Sequence, residues 1–139
     1  MIKALLTIDD VSSANTPAIV DYLCEKNIPA IMFMVGEWAE GHPDELVYAL
    51  RHGMIVGNHS YTHPHFSEIS FEECKHEIEK NEEVLNRFYE KAGFERKFRP
   101  FRFPYGDKGG ENKSLIQSYL AEKGFDKVKN TELDRKSVV

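Results

Sequence analysis

Short apolar runs alternate with amphipathic stretches along most of the chain. Residues 2–8 read as a strand. Asn15-Thr16-Pro17 then carries the marks of a helix start, a capping side chain with proline in the first turn. Ile19, Val20, Leu23 and Cys24 fall on one face of that helix. Residues 28–35, rich in Ile, Met, Phe and Val, predict a second strand. His42-Pro43-Asp44-Glu45 opens a second helix with Leu46, Val47 and Leu50 inward and Gly53 as its stop. Residues 54–56 predict a short third strand. Ser70 and Glu73 form a capping box ahead of the longest helix. There Phe71, Cys74, Ile78, Leu85 and Phe88 recur at helical spacing, and Gly93 ends the run. Glu77, Glu79, Glu82 and Glu83 are expected on its solvated face. Residues 98–103 predict a fourth strand despite Pro100, and residues 114–123 a fourth helix closed by Gly124. Residues 125–128 begin a fifth strand, and the tail, 129–139, has no pattern.

This alternation predicts an α/β fold, a mainly parallel sheet flanked by helices. A length of 139 residues fits a single domain, 1–139, with a core of modest size. In such folds ligands gather at the carboxyl ends of strands. The polar clusters fall at such ends: Asp9-Asp10 after the first strand, residues 59–65 after the third, residues 102–105 after the fourth. Three separate segments therefore point to one face.

Hydrophobic residues at 41% and charged residues at 29% are ordinary for a globular protein, so composition alone assigns no special class. The net charge is −5 and no basic patch alternates with aromatics, which argues against nucleic acid as a partner. The longest apolar run, 28–35, is interrupted by Pro29 and too short to cross a membrane. The opening residues lack the pattern of a secretion signal, making the cytoplasm the default expectation. Cys24 and Cys74 read as reduced thiols on buried helix faces, without metal-ligand spacing.

His59 and His63 are four apart, and share a face only if their loop coils through a helical turn. Two solvent-facing histidines are the plain alternative, and the Asp-Asp pair at another strand end weighs against it. Adjacent carboxylates repel, so a site holding both needs a cation, which a metal and Arg102 could supply. One aspartate can ligate while its neighbour stays free as a base. Alternation relaxes at a strand end, so both can converge on one cavity. Two imidazoles and a carboxylate leave coordination positions open for water and substrate, the pattern of a catalytic site. Zinc is the first choice; cobalt, nickel and iron suit the same ligands. Such an ion lowers the pKa of water to about 7 and polarises a carbonyl. The chemistry this suits is hydrolysis of an amide or ester. A non-haem iron oxygenase uses the same ligand types, but the β/α alternation and Arg102-Phe103-Pro104-Tyr105 count against it.

Three segments carry a family resemblance. Thr7-Ile8-Asp9-Asp10, His59-Ser60-Tyr61-Thr62-His63 and Arg102-Phe103-Pro104-Tyr105-Gly106 resemble, in order, the first three motifs of the polysaccharide deacetylases, carbohydrate esterase family 4. Phe33-Met34-Val35-Gly36 resembles the family's second strand, and the resemblance covers residues 2–128. It implies an incomplete, distorted (β/α) barrel. It implies metal-dependent removal of acetyl groups from N- or O-acetylated carbohydrate, by attack of a metal-bound water. Asp10, His59 and His63 would hold the metal, Asp9 would be general base, and Arg102 would pair with Asp9. The backbone N–H of Tyr105 would help stabilise the oxyanion. Asn58 and Thr62 are candidates to orient the ligands, and His65 to line the site. Trp38 is expected to pack, with stacking on a sugar ring as the alternative. No role is expected for His42, His52 and His76.

Val11 stands where the family has glycine, and a branched residue avoids positive φ, so the turn there must take another backbone conformation. The family's two later motifs, one with a tryptophan and one with a general-acid histidine, find no counterpart. No histidine follows His76, no tryptophan follows Trp38, and residues 131–139 match neither motif. General acid–base groups contribute about 10²–10⁴-fold in rate. Missing strands would also leave an open sheet edge. A truncated deacetylase domain is the favoured expectation. The alternatives are a catalytically impaired metal- or glycan-binding module, and a site completed by a partner. Each favours self-association that covers the edge, a homo-oligomer.

Overall fold

β1 (Leu6–Val11), β2 (Ala30–Met34) and β3 (Ile55–Asn58) form a parallel sheet in the order β1-β2-β3. The computed structural model describes residues 5–126. Parallel neighbours need crossovers. α1 (Thr16–Glu25) links the first pair, while α2 (Gly36–Gly41) and α3 (Pro43–Arg51) link the second. β2 is central and buried at all five positions. Its continuous apolar run suits a strand covered on both faces. Met32 and Met34 pack among Val20, Leu46 and Leu85, whereas Ile31 and Phe33 meet Leu5 and Ile55 on the other side.

α4 (Phe71–Ala92) is the longest element. The Ser70 hydroxyl oxygen accepts from the Glu73 amide at 3.1 Å, and Gly93 ends the helix at φ +85°. Cys74, Ile78, Leu85 and Phe88 are buried along it. α5 (Lys113–Glu122) packs nearby, and Ile78, Phe101, Ile116 and Tyr119 share a second apolar cluster with Phe66. Among the described residues, no helix is long and apolar enough to cross a membrane.

Several expectations change. Residues 98–103 make only single bridges, Asn58 with Phe101 and Pro100 with Asp126. Pro100 lacks the N–H that a ladder requires. The fifth strand is that one bridge at Asp126; residues 127 and 128, the tail 129–139 and residues 2–4 lie outside the described ones. β1 reaches Val11, so Asp9-Asp10 lies within it rather than after it. Helix α2 was not expected. Glu77, Glu79 and Glu83 are at least partly exposed, but Glu82 is buried, where Arg96 and Arg99 pair with it. Cys74 is buried and Cys24 exposed. Thr16, Val20 and Leu23 form the inner side of α1, and Cys24, like Ile19, falls outside it.

Candidate metal centre

The register between β1 and β2 shifts between Ile8 and Val11, a bulge that places Asp9 and Asp10. Asp10 lies at φ +63°, a left-handed conformation that aspartate tolerates better than most residues. Val11 keeps to negative φ and enters the core. The unusual turn therefore falls one residue earlier than the family's glycine would place it. As a result both carboxylates line one cavity instead of opposite faces of the sheet.

The two histidines come from the loop after β3. It is not a helical turn: Ser60 and His63 are left-handed, at φ +70° and +65°. Hydrogen bonds hold each bend. The Ser60 amide donates to Asn58 Oδ1 at 2.8 Å, and the His63 amide donates to the Ser60 hydroxyl oxygen at 3.0 Å. Thr62 ties the loop to α4, its amide and hydroxyl both donating to Glu77. Asn58 thus supports the loop that aims the imidazoles, while Thr62 anchors it from outside.

His59 Nδ1 lies 2.7 Å from the Arg102 carbonyl oxygen, which can only accept, so this nitrogen carries the proton. Nε2 is then unprotonated and faces Asp10 Oδ1 at 3.3 Å, with His63 Nε2 3.2 Å from the same oxygen. The three residues offer one donor atom each, all within 4.8 Å of one another. Burial lowers the His59 pKa, outweighing the Arg102 carbonyl and Asp9, which favour the charged ring. A neutral imidazole is the form that ligates. Two imidazole nitrogens and a carboxylate oxygen, with one ring oriented by a backbone carbonyl, suit a divalent cation of the zinc type. His59 is buried, while the Asp10 side chain is half exposed, leaving the trio open to solvent and substrate.

Arg102 joins the other aspartate to the sheet. Its Nη1 donates to Asp9 Oδ1 at 3.1 Å and to the Thr7 hydroxyl at 2.7 Å, and its guanidinium lies over the Phe33 ring. Tyr105, at φ +59°, sits in a 3₁₀ turn over Pro104–Gly106. Its ring is 61% exposed, edge-on to His63 and stacked on His65 at 3.7 Å. His65 thus backs Tyr105 and is not among the cavity's lining residues. Trp38 is 39% exposed and stacks on the His63 ring, 5.4 Å between centroids. It packs as expected, but against the His63 ring rather than in the core. The cavity, about 1230 Å³, runs from the trio past Phe103 towards Gln117 and Phe125.

Two contributors went unseen in the sequence. Asp107 accepts from the Ser67 amide and hydroxyl and lies 3.6 Å from His65 Nδ1, clasping the loops that carry Tyr105 and His65. Its position just beyond Arg102–Gly106 was the available hint. Glu82, read as solvated, accepts a hydrogen bond from Asn58 Nδ2 at 2.9 Å.

The polysaccharide deacetylase family model matches residues 2–127. This chain belongs to the polysaccharide deacetylase family. It is 39% identical over 106 residues to a peptidoglycan-N-acetylglucosamine deacetylase of Bacillus cereus, covering 76% of this chain and 37% of that protein. A family 4 carbohydrate esterase from Streptomyces lividans, solved with acetate, superposes with TM-score 0.76 at 29% identity. That match covers 91% of this chain and 62% of the esterase. A family 4 pseudoenzyme from Bacillus anthracis superposes with TM-score 0.70 at 27% identity, covering 88% of this chain and 41% of the other. The chain thus spans less than two thirds of each of these proteins. The three-stranded parallel sheet with its helices is an incomplete (β/α) barrel of the deacetylase type. The family depends on divalent metal, and Asp10, His59 and His63 are the candidate site for it. Family membership sets the oxygenase reading aside.

Proposed function

We propose that this polysaccharide deacetylase-family chain is a hydrolase that removes acetyl groups from N- or O-acetylated carbohydrate, using a divalent cation held by Asp10, His59 and His63. Zinc is the proposed ion. One observation carries the reading: the trio's donor atoms converge within 4.8 Å while the neighbouring Asp9, held by Arg102, faces the same cavity. A cation there supplies charge that polarises the acyl carbonyl and lowers the pKa of water to about 7. Asp9 takes the proton from the attacking water, and Arg102 with Thr7 keeps its carboxylate aimed. The Tyr105 amide donates to the oxygen that becomes negative as the tetrahedral intermediate forms. Asp9, once protonated, can return that proton to the leaving nitrogen or oxygen. Acetylated sugar as substrate is supported by the name of the Bacillus cereus relative.

A second reading is a metal- or glycan-binding module with little turnover; it is supported by the family 4 pseudoenzyme from Bacillus anthracis among the structures this chain resembles. Acetate release from an acetylated chitooligosaccharide separates the two. The hydrolase reading expects release that stops with chelator, returns with zinc and disappears in His63→Ala. Zinc binding without acetate release supports the second reading. Failure to bind either zinc or the chitooligosaccharide sinks both.

A further inference from the structure

We infer that Glu82 is a positioning residue for the metal trio, acting on His63 through Asn58 and Ser60 and on His59 through the segment that carries Arg102. This rests on reading Asp10, His59 and His63 as a cation site.

A buried carboxylate is tolerated only when paired and fully hydrogen-bonded. Glu82, 9% exposed, meets that condition with two cations. Arg96 donates to both of its oxygens at 2.9 Å, and Arg99 donates through Nη2 at 3.0 Å and Nε at 3.3 Å. Its remaining partner is Asn58 Nδ2 at 2.9 Å. Asn58 ends β3, one residue before His59.

An ionised carboxylate can only accept hydrogen bonds, and so can a backbone carbonyl. The Asn58 amide faces one of each, Glu82 and the Ile78 carbonyl, so its NH₂ group must point at them. Its oxygen is then turned towards the Ser60 amide, at 2.8 Å, and Asn81 Nδ2, at 2.7 Å. That bond supports the left-handed Ser60, whose hydroxyl oxygen receives the amide of the left-handed His63. Glu82, together with the Ile78 carbonyl, therefore fixes which way the Asn58 amide faces, and the amide holds the bend that aims His63.

The route to His59 uses the backbone. The Asn58 amide donates to the Pro100 carbonyl at 2.9 Å, and the Arg102 amide donates to the Asn58 carbonyl at 3.0 Å. Arg99, just before Pro100, is fixed to Glu82 and to the Lys123 carbonyl. The segment so fastened presents the Arg102 carbonyl that orients His59. Neither histidine touches Glu82, yet Ser60 and Arg102, which hold them, are both bonded to Asn58, which does.

Cobalt(II) titration of the full chain tests this, with visible absorption reporting ligand geometry and chelator competition reporting affinity. Circular dichroism of the metal-free protein reports stability separately. Glu82→Gln keeps the size but replaces the acceptor-only group. It is expected to weaken cobalt binding on the order of 10-fold and to alter the absorption bands at temperatures where the variant is folded. Ser60→Ala is expected to do the same, and the double variant to lose less than the product of the two single losses. Glu83→Gln, the exposed neighbour on α4, should match the wild type. A folded Glu82→Gln with wild-type affinity and spectrum would overturn the inference, whatever its melting temperature, since mere packing predicts that result. If Glu82→Gln does not fold, wild-type affinity in Ser60→Ala overturns it instead. Wild-type protein that binds cobalt without releasing acetate removes the hydrolase reading and leaves this test intact. Wild-type protein that binds no cobalt overturns the cation site and this inference with it.

Discussion

Asp9 and Asp10 are chemically identical neighbours with different surroundings. Asp10 faces two imidazoles, whereas Asp9 faces a guanidinium that also holds Thr7. The left-handed φ of Asp10 lets both side chains serve one cavity. Asp9→Asn preserves shape and removes the proton acceptor. It should lower the acetate-release rate by about 10²–10⁴-fold, the usual contribution of a general base, while zinc binding stays near that of the wild type. Steady-state kinetics beside a zinc titration measures both, and a rate within a few-fold of the wild type would remove Asp9 from the base role. These residues were legible because their identities carry chemistry and each of the three motifs follows an apolar run that reads as a strand. The Trp38–His63 and His65–Tyr105 stacks were not, because contact between separate loops leaves no local pattern. The bends at Ser60 and His63 were equally hidden, since positive φ is uncommon for any residue but glycine and the bonds that hold these bends leave no local pattern.

β2 and α4 were readable because each satisfies a local rule: an unbroken apolar run in one, a capping box and helical spacing in the other. The fourth strand misled because residues 98–103 have strand-like side chains around a proline that cannot join a ladder. Glu82 misled because the other acids near it, Glu77, Glu79 and Glu83, are at least partly exposed and its partners, Arg96 and Arg99, lie beyond the end of the helix. Gly57 shows how tightly β3 and that irregular segment approach. A Cβ there would lie 2.8 Å from the Pro100 carbonyl oxygen, 2.7 Å from Pro100 Cγ and 3.0 Å from the Phe33 ring. All three contacts are with a rigid ring or a backbone atom, so relief requires β3 and that segment to part. Gly57→Ala should therefore cost about 1–3 kcal/mol, the usual range for overpacking a core. It should also weaken zinc binding, because Asn58 and Arg102 bond across the same contact. Denaturant unfolding of the metal-free protein checks the first effect, and unchanged stability would show that the segment yields freely.

Acid should act on the whole molecule in two stages. Burial lowers the His59 pKa, so the unfolded chain takes up that proton first as pH falls below about 6.5, and stability drops from there. Burial alone would raise the Glu82 pKa, but Arg96, Asn58 and Arg99 outweigh it and hold the carboxyl below the usual range. A depressed carboxyl pKa contributes stability above the unfolded value, about 4.3, and loses it as pH falls through the folded value. Asp107 and Glu45 are depressed as well, by Ser67 and His42 hydrogen bonds, but both act where solvent screens them. The lower stage should therefore belong mainly to Glu82. Each proton taken up only on unfolding contributes a slope of about 1.4 kcal/mol per pH unit. Metal-free Glu82→Gln should be less stable near neutrality, yet show a slope below pH 4.3 shallower by up to about that amount, because it has no carboxyl to protonate. Denaturant unfolding across the pH range measures both curves. Parallel slopes in wild type and variant would mean that Glu82 keeps its proton affinity on folding, and that its arginine pairs do no more than offset the loss of water around it.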